Sequence, residues 1–230
     1  MYDRRRDRLV YLDRDLKMLR AVPVPGVSSG DVRPAVDPIS DTLALASEAD
    51  EIQGDPFVVV DRTTGRVLAR EHFDSGNVLV HPNRPLLFMS FFRRHQQLIA
   101  YDLSTRTIQA TAETSGRANR LEYWAARDEL LVALPMSGRV ARFDARSLDP
   151  RGQMKTAFGV RAVAVDEQRG LLLGISLLTG TLTIRELASG RLVDQMYLGP
   201  WLHMITLHPS EPRAFVTSID AIFSVDYGVP

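Results

Sequence analysis

Residues Val160–Pro200 read VRAVAVDEQRGLLLGISLLTGTLTIRELASGRLVDQMYLGP. Val160–Asp166 alternates apolar and polar side chains, the period of a strand with one face buried. Glu167–Gly170 breaks the pattern, and Leu171–Leu178 follows as a mostly apolar run. Thr179-Gly180 breaks it again, Thr181–Leu187 alternates, Ala188-Ser189-Gly190 turns, and Arg191–Leu198 ends at Gly199-Pro200. Short strands punctuated by turn residues in this way predict a four-stranded antiparallel meander.

The rest of the chain reads as further copies of that unit. An apolar residue followed by an acid closes each third strand: Leu12-Asp13, Val60-Asp61, Tyr101-Asp102, Phe143-Asp144 and Val225-Asp226, with Arg185-Glu186 a degenerate copy. Successive acids lie 48, 41, 42, 42 and 40 residues apart. The long first interval predicts a lengthened loop around Ser47–Asp55. A period of about 40–45 residues with four strands in each is the signature of a β-propeller blade. The acid has a local purpose. In Asp61-Arg-Thr-Thr-Gly65 and Asp102-Leu-Ser-Thr105 a short carboxylate can accept backbone N–H bonds two or three residues on and so close the turn.

A second landmark separates first from second strands: His81-Pro82-Asn83, Ala126-Arg127-Asp128, Asp166-Glu167-Gln168 and His208-Pro209-Ser210. The runs that follow (Leu86–Ser90, Leu130–Leu134, Leu171–Ile175, Ala214–Thr217) are apolar, as strands covered on both faces must be. These landmarks predict an all-β fold, a single β-propeller domain spanning residues 1–230. Four complete four-stranded antiparallel blades are expected at Val27–Gly76, Asn77–Gly116, Arg117–Gly159 and Val160–Gly199, with partial blades at both termini. Tyr2–Pro25 supplies the tail of a second strand and two further strands, and Trp201–Tyr227 supplies three. Tyr2–Asp15 aligns without gaps on Phe91–Ser104, so Met1 falls inside a blade. Leaving the short tail aside, the count is 21 strands, which fits neither five nor six closed blades. A propeller must close to remove its edges, so two arrangements are open: the terminal pieces share one blade and leave a spare strand, or the chain is the C-terminal part of a longer propeller.

Composition narrows the function. Lys+Arg and Asp+Glu both number 28, which argues against a general binder of nucleic acid or anionic membranes. No apolar run is long enough to span a bilayer. Met1–Arg8 is charged, unlike a signal peptide. The absence of cysteine excludes disulfides, thiolate nucleophiles and Cys-ligated metals.

The repeat resembles the YVTN-type β-propellers, a bacterial set related to quinoprotein-like and WD40-like propellers. Ala214-Phe215-Val216-Thr217-Ser218 is similar to that family's L-Y-V-T-N run, and His208-Pro209-Ser210-Glu211-Pro212 to its S-P-D-G turn. Phe57–Val67 and Leu98–Ile108 resemble its third-to-fourth-strand link, with Phe57 and Leu98 matching its first valine in apolar character alone. The strict WD40 pattern fits less well, because no Gly-His dipeptide opens the blades and no Trp precedes the landmark acid. The resemblance implies a binding or scaffold protein, although related propellers include enzymes.

Propeller function lies on the loops of one face, those between blades and those joining second to third strands. On that reading Arg94, His95, Arg117, Asn119, Arg120, Arg161, Trp201 and His203 converge on one rim. An arginine rim with a Trp suits a small anionic ligand or the acidic loop of a protein partner, through bidentate hydrogen bonds and stacking. The plainer alternative is that the charges are solvated and Trp201 fills a blade junction. No two histidines stand at a metal-ligand spacing, and repetition of His81 and His208 before proline indicates a turn role. No nucleophile elbow or phosphate loop is present, so no catalytic residue and no cofactor is assigned. The expected function is a non-catalytic binding or scaffold module. The competing class is a hydrolase or lactonase-like propeller with a channel-bound metal, for which Asn77, Asn119 and Glu122 are available.

Overall fold

The computed structural model describes the chain except residues 4, 7, 25–30, 49–56, 72–76, 92–95 and 229–230. It divides into two compact units, Met1–Thr111 and Ala112–Pro230. The first holds a three-stranded sheet, β1 (Tyr2–Asp3), β2 (Arg8–Leu12) and β3 (Met18–Pro23). A four-stranded sheet follows, β4 (Asp31–Val36), β5 (Thr42–Glu48), β6 (Phe57–Asp61) and β7 (Val67–Glu71). The next is β8 (Asn77–Val80), β9 (Leu86–Ser90), β10 (Gln97–Asp102) and β11 (Thr107–Glu113). The second unit holds β12 (Leu121–Trp124), β13 (Glu129–Leu134), β14 (Arg139–Asp144) and β15 (Pro150–Lys155). Then come β16 (Val160–Asp166), β17 (Leu171–Ser176), β18 (Thr181–Glu186) and β19 (Leu192–Tyr197), and last β20 (Met204–Leu207), β21 (Arg213–Thr217) and β22 (Ile222–Asp226).

Every sheet is an antiparallel meander, so the fold is all-β with blade-like repeats. The tail at Tyr2–Asp3 pairs with Leu9 and Arg8 and counts as a strand, which brings the described total to 22 rather than 21. β5 runs on to Glu48, and the loop expected beyond it lies outside the described residues.

Burial follows strand position. The second strands β9, β13 and β17 are buried throughout, while the fourth strands β15 and β19 are mostly exposed. In the second unit, Leu173 and Ile175 on β17 and Val216 on β21 lie in one apolar cluster; Leu131 on β13 and Val163 on β16 lie in another. Each fully buried side chain of this kind contributes about 2 kcal/mol.

The landmark acids close the turns that follow them. The Asp61 carboxylate accepts from the backbone N–H groups of Thr63 at 3.0 Å and Thr64 at 2.7 Å. Asp102 accepts from Ser104 at 2.8 Å and Thr105 at 2.9 Å. Asp144 accepts from Arg146 at 2.9 Å and Ser147 at 3.0 Å. The degenerate Glu186 is longer and binds side chains instead, those of Ser189 and Arg191. Between first and second strands, His81 Nδ1 accepts from Asn83 N–H at 3.0 Å and His208 Nδ1 from Glu211 N–H at 3.1 Å, so both histidines serve turns. Asp37 and Asp166 accept backbone N–H groups at the same place. One alignment shifts. The third copy of this position is Trp124, not Ala126, and Trp124 has no acceptor to offer. A single-turn 3-10 helix at 125–127 closes that hairpin, with Asp128 N–H bonded to Ala125 O at 3.2 Å.

Gly170 and Gly180 test which turns the packing constrains. Both have positive φ, +64° and +67°. A Cβ at Gly170 would meet nothing within 4 Å, whereas one at Gly180 would stand 2.3 Å from Gly199 O. Gly170→Ala is expected to cost about 1 kcal/mol, the left-handed penalty alone. Gly180→Ala is expected to cost at least about twice that, as read from denaturant or thermal unfolding of the two variants side by side.

Candidate binding site

A four-stranded antiparallel meander places its second-to-third loop and the loop leading to the next blade at the same end. In the second unit these loops are joined by backbone hydrogen bonds. Thr156 N–H donates to Gly138 O at 2.7 Å and Gly159 N–H to Pro135 O at 2.9 Å, tying 156–159 to 135–138. Leu177 N–H donates to Gly159 O at 3.0 Å, and Leu198 N–H to Gly180 O at 2.9 Å. His203 N–H donates to Thr217 O at 2.7 Å and Asn119 N–H to Ala133 O at 2.8 Å. The loops at this end, called the arc below, are thus each held by backbone hydrogen bonds.

Six of the expected site residues sit on it. Asn119, Arg161 and His203 are structurally equivalent, 42 residues apart each time, at the start of the first strand in three successive sheets. Each follows a buried apolar residue: Ala118, Val160 and Leu202. Asn119 is buried, and Arg161 and His203 are partly buried. Arg161 is the extra residue of a bulge between Val160 and Ala162, a device that re-aims a side chain at a strand end. His203 Nε2 is a buried nitrogen with no hydrogen-bond partner among the described residues. Arg117 is exposed and Arg120 partly buried, both on the loop into β12. Arg94 and His95 lie outside the described residues.

Trp201 is 52% exposed. Its φ is +61°, a left-handed conformation that is a genuine outlier for a bulky side chain. The equivalent residue one blade earlier is Gly159, with φ +77°. The fold needs a left-handed residue here, and the chain supplies an indole.

The fold is propeller-like. The chain is similar in structure to Kuenenia stuttgartiensis hydrazine synthase, with a TM-score of 0.70 and 16% identity. The match covers 80% of this chain and 54% of that one, so the chain spans about half the length of its structural neighbour. At that identity the likeness speaks to fold alone. No protein-family model matches the chain, and no curated protein matches its sequence.

Two features of the second unit escape a reading of sequence. Loop residues Met136, Phe158, Leu178 and Ile219 are exposed apolar side chains on the same arc. Their alternation with polar neighbours looks like ordinary strand patterning, and only the glycine-led turns beside them hint otherwise. The other feature is Glu122 on β12. It lies opposite Leu131, on the face that Trp124, Leu131 and Val163 fill with apolar side chains. It accepts one bond from Tyr123 N–H and has no ion-pair partner among the described residues. Burial pushes its carboxyl up from an ordinary 4.5 to about 7. No group of three or more His, Cys, Asp or Glu suited to a metal ion lies among the described residues. No helix among them is long and apolar enough to cross a membrane.

Because the folded pKa of Glu122 is raised, its favourable contribution is complete below pH 4.5 and is lost as pH rises to about 7. Glu122→Gln mimics the protonated form at every pH. Its stability relative to wild type is expected to grow by about 3 kcal/mol between pH 4.5 and 8. Urea unfolding at the two pH values measures this, and an unchanged difference would refute the assignment.

Proposed function

We propose that this protein is a non-catalytic binding or scaffold module of the propeller type, in keeping with its YVTN-like repeat. It recognises an anionic group, presented by a protein partner or a small molecule, through the loop end of residues 112–230. The observation that carries this reading is Trp201, a solvent-facing indole held in a backbone conformation that the preceding blade reserves for glycine. Strain kept at an exposed aromatic is a mark of function rather than of packing. Asn119, Arg161 and His203 occupy equivalent places at the same end of the unit, with Arg117 and Arg120 next to Asn119 in the chain. Arginine offers paired donors to a carboxylate or phosphate, and Trp offers a face for stacking.

Titration with tripolyphosphate and with poly-glutamate tests the reading. Arg161→Ala and the exposed Arg117→Ala are each expected to weaken both probes about tenfold, while Arg146→Ala at the opposite end leaves them unchanged. Equal effects from all three variants would mean diffuse charge and sink the proposal. The same preparation separates the competing class, a metal-dependent propeller hydrolase: a stoichiometric divalent ion in elemental analysis would favour the enzyme.

A further inference from the structure

Successive sheets of the second unit meet through apolar side chains. Between β12–β15 and β16–β19 the buried groups are Trp124, Leu131 and Val140 from one side and Val163, Leu172 and Leu187 from the other. Glu122 stands two residues before Trp124 on β12, so strand alternation turns it to the same face, and it lies opposite Leu131. A carboxyl group thus enters an apolar interface between two sheets. It does so at the arc end, because β12 and β16 begin beside Asn119 and at Val160-Arg161.

The charged groups on the two facing surfaces are engaged elsewhere. On the sheet of Glu122, Glu129 takes two bonds from Arg142, and Asp144 takes one from Arg151 and two from turn N–H groups. On the facing sheet, Arg161 has interactions of its own. Arg185, paired with Leu172 across the strands, donates to Gly190 O at 2.8 Å. Glu167 accepts from Ala126 N–H at 3.0 Å and so clamps the far end of the same interface. Glu122 accepts from Tyr123 N–H and has no ion-pair partner among the described residues. A protonated carboxyl can stay in such a place. An ionised one is deprived of water with no counter-charge to replace it. Parting the sheets at the arc end readmits water and gives up apolar contacts alone, while the Glu167 clamp holds the other end. We propose that Glu122 is a proton-operated latch on this interface: protonated, it lets β12 pack against β16, and ionised, it opens the arc end of the interface to water. Burial moves the switch from an ordinary 4.5 to about 7. Closure is therefore complete below pH 4.5 and is progressively lost as pH rises to about 7. Linkage between those two values raises the open population about thirtyfold from pH 5.5 to pH 8.5.

The chain contains no cysteine, so one introduced thiol reports local opening. Val163→Cys places a thiol in this interface, and Val216→Cys places one in the interface between β16–β19 and β20–β22; both positions are buried. Labelling by a methanethiosulfonate reagent is measured at pH 5.5 and 8.5 and corrected for thiol ionisation on an unfolded peptide. The corrected rate at position 163 is expected to rise about thirtyfold, the rate at 216 to stay constant, and Glu122→Gln to abolish the rise. A second measurement leaves the interface unsubstituted apart from Glu122: Trp201→Gly makes Trp124 the sole tryptophan. Its quenching by acrylamide should increase with pH in that chain and stay flat once Glu122→Gln is added. A flat response from both probes, or a rise that survives Glu122→Gln, would overturn the latch. Equal rises at 163 and 216 would mean that ionisation loosens the whole unit, and would overturn it as well.

Discussion

Backbone touching backbone is the constraint on which the second unit depends. Gly138, Gly159 and Gly180 recur every 21 residues, half a blade apart. Each has positive φ, and each stands where a Cβ would press on the next loop: 3.1 Å from Phe158 Cα, 2.7 Å from Leu178 Cβ and 2.3 Å from Gly199 O. Each offers its carbonyl to that next loop, from Thr156, Leu177 and Leu198 in turn. These bonds carry the β14–β15, β16–β17 and β18–β19 ladders one residue beyond the strand ends, so each loop is clamped to its own sheet by main chain. A side chain at any of the three would open the seam. At the next step of the series stands Trp201, still left-handed but no longer glycine.

The seam explains why the apolar arc is exposed. When two loops meet through their backbones, no cavity remains between them for large side chains. Met136, Phe158 and Leu178 flank the contact points and are left facing solvent. The backbone groups named above are bonded within the loops, whereas His203 Nε2 has no hydrogen-bond partner among the described residues. The result is a set of backbone-bonded loops bearing exposed apolar side chains.

The repeat was legible because its signals are local. An acid that closes its own turn, and an apolar run for a strand covered on both faces, need no tertiary knowledge, and Leu86–Ser90 matches β9 to the residue. The equivalence of Asn119, Arg161 and His203 was also present as a constant spacing of 42, hidden only because three different residue types occupy it. The misplacement of Ala126 has a physical origin. Trp124 cannot accept the turn hydrogen bond, so that hairpin closes by a 3-10 turn and its polar residues move two positions along. Burial of Glu122 was not legible, because a Glu beside Tyr123 on a short strand reads as a solvent-facing residue. Its raised carboxyl pKa comes from Trp124 and residues of β13 and β16 on the same face, contacts that no local pattern encodes.

A formal net charge of zero conceals how the charges are used. At the end away from the arc they are spent on one another. Arg142 forms two bonds with Glu129, at 2.7 and 2.8 Å, and lies over the Trp124 ring. Arg169 meets Asp166 at 3.1 Å, and the Tyr227 hydroxyl donates to the same carboxylate at 2.9 Å. Burial alone would raise the Asp166 pKa, but these donors outweigh it and hold the carboxyl below its usual range. The same carboxylate pushes the Tyr227 hydroxyl, already raised by burial, up to about 12. Glu167 reaches one blade back to the Ala126 N–H at 3.0 Å. Removing one member of such a buried pair leaves the other uncompensated, which costs several kcal/mol. The loops of the other end carry four arginines and one acid, Asp220. Within residues 112–230, the end away from the arc thus uses its charges to tie strands and blades together, while arginine outnumbers acid in the loops of the other end.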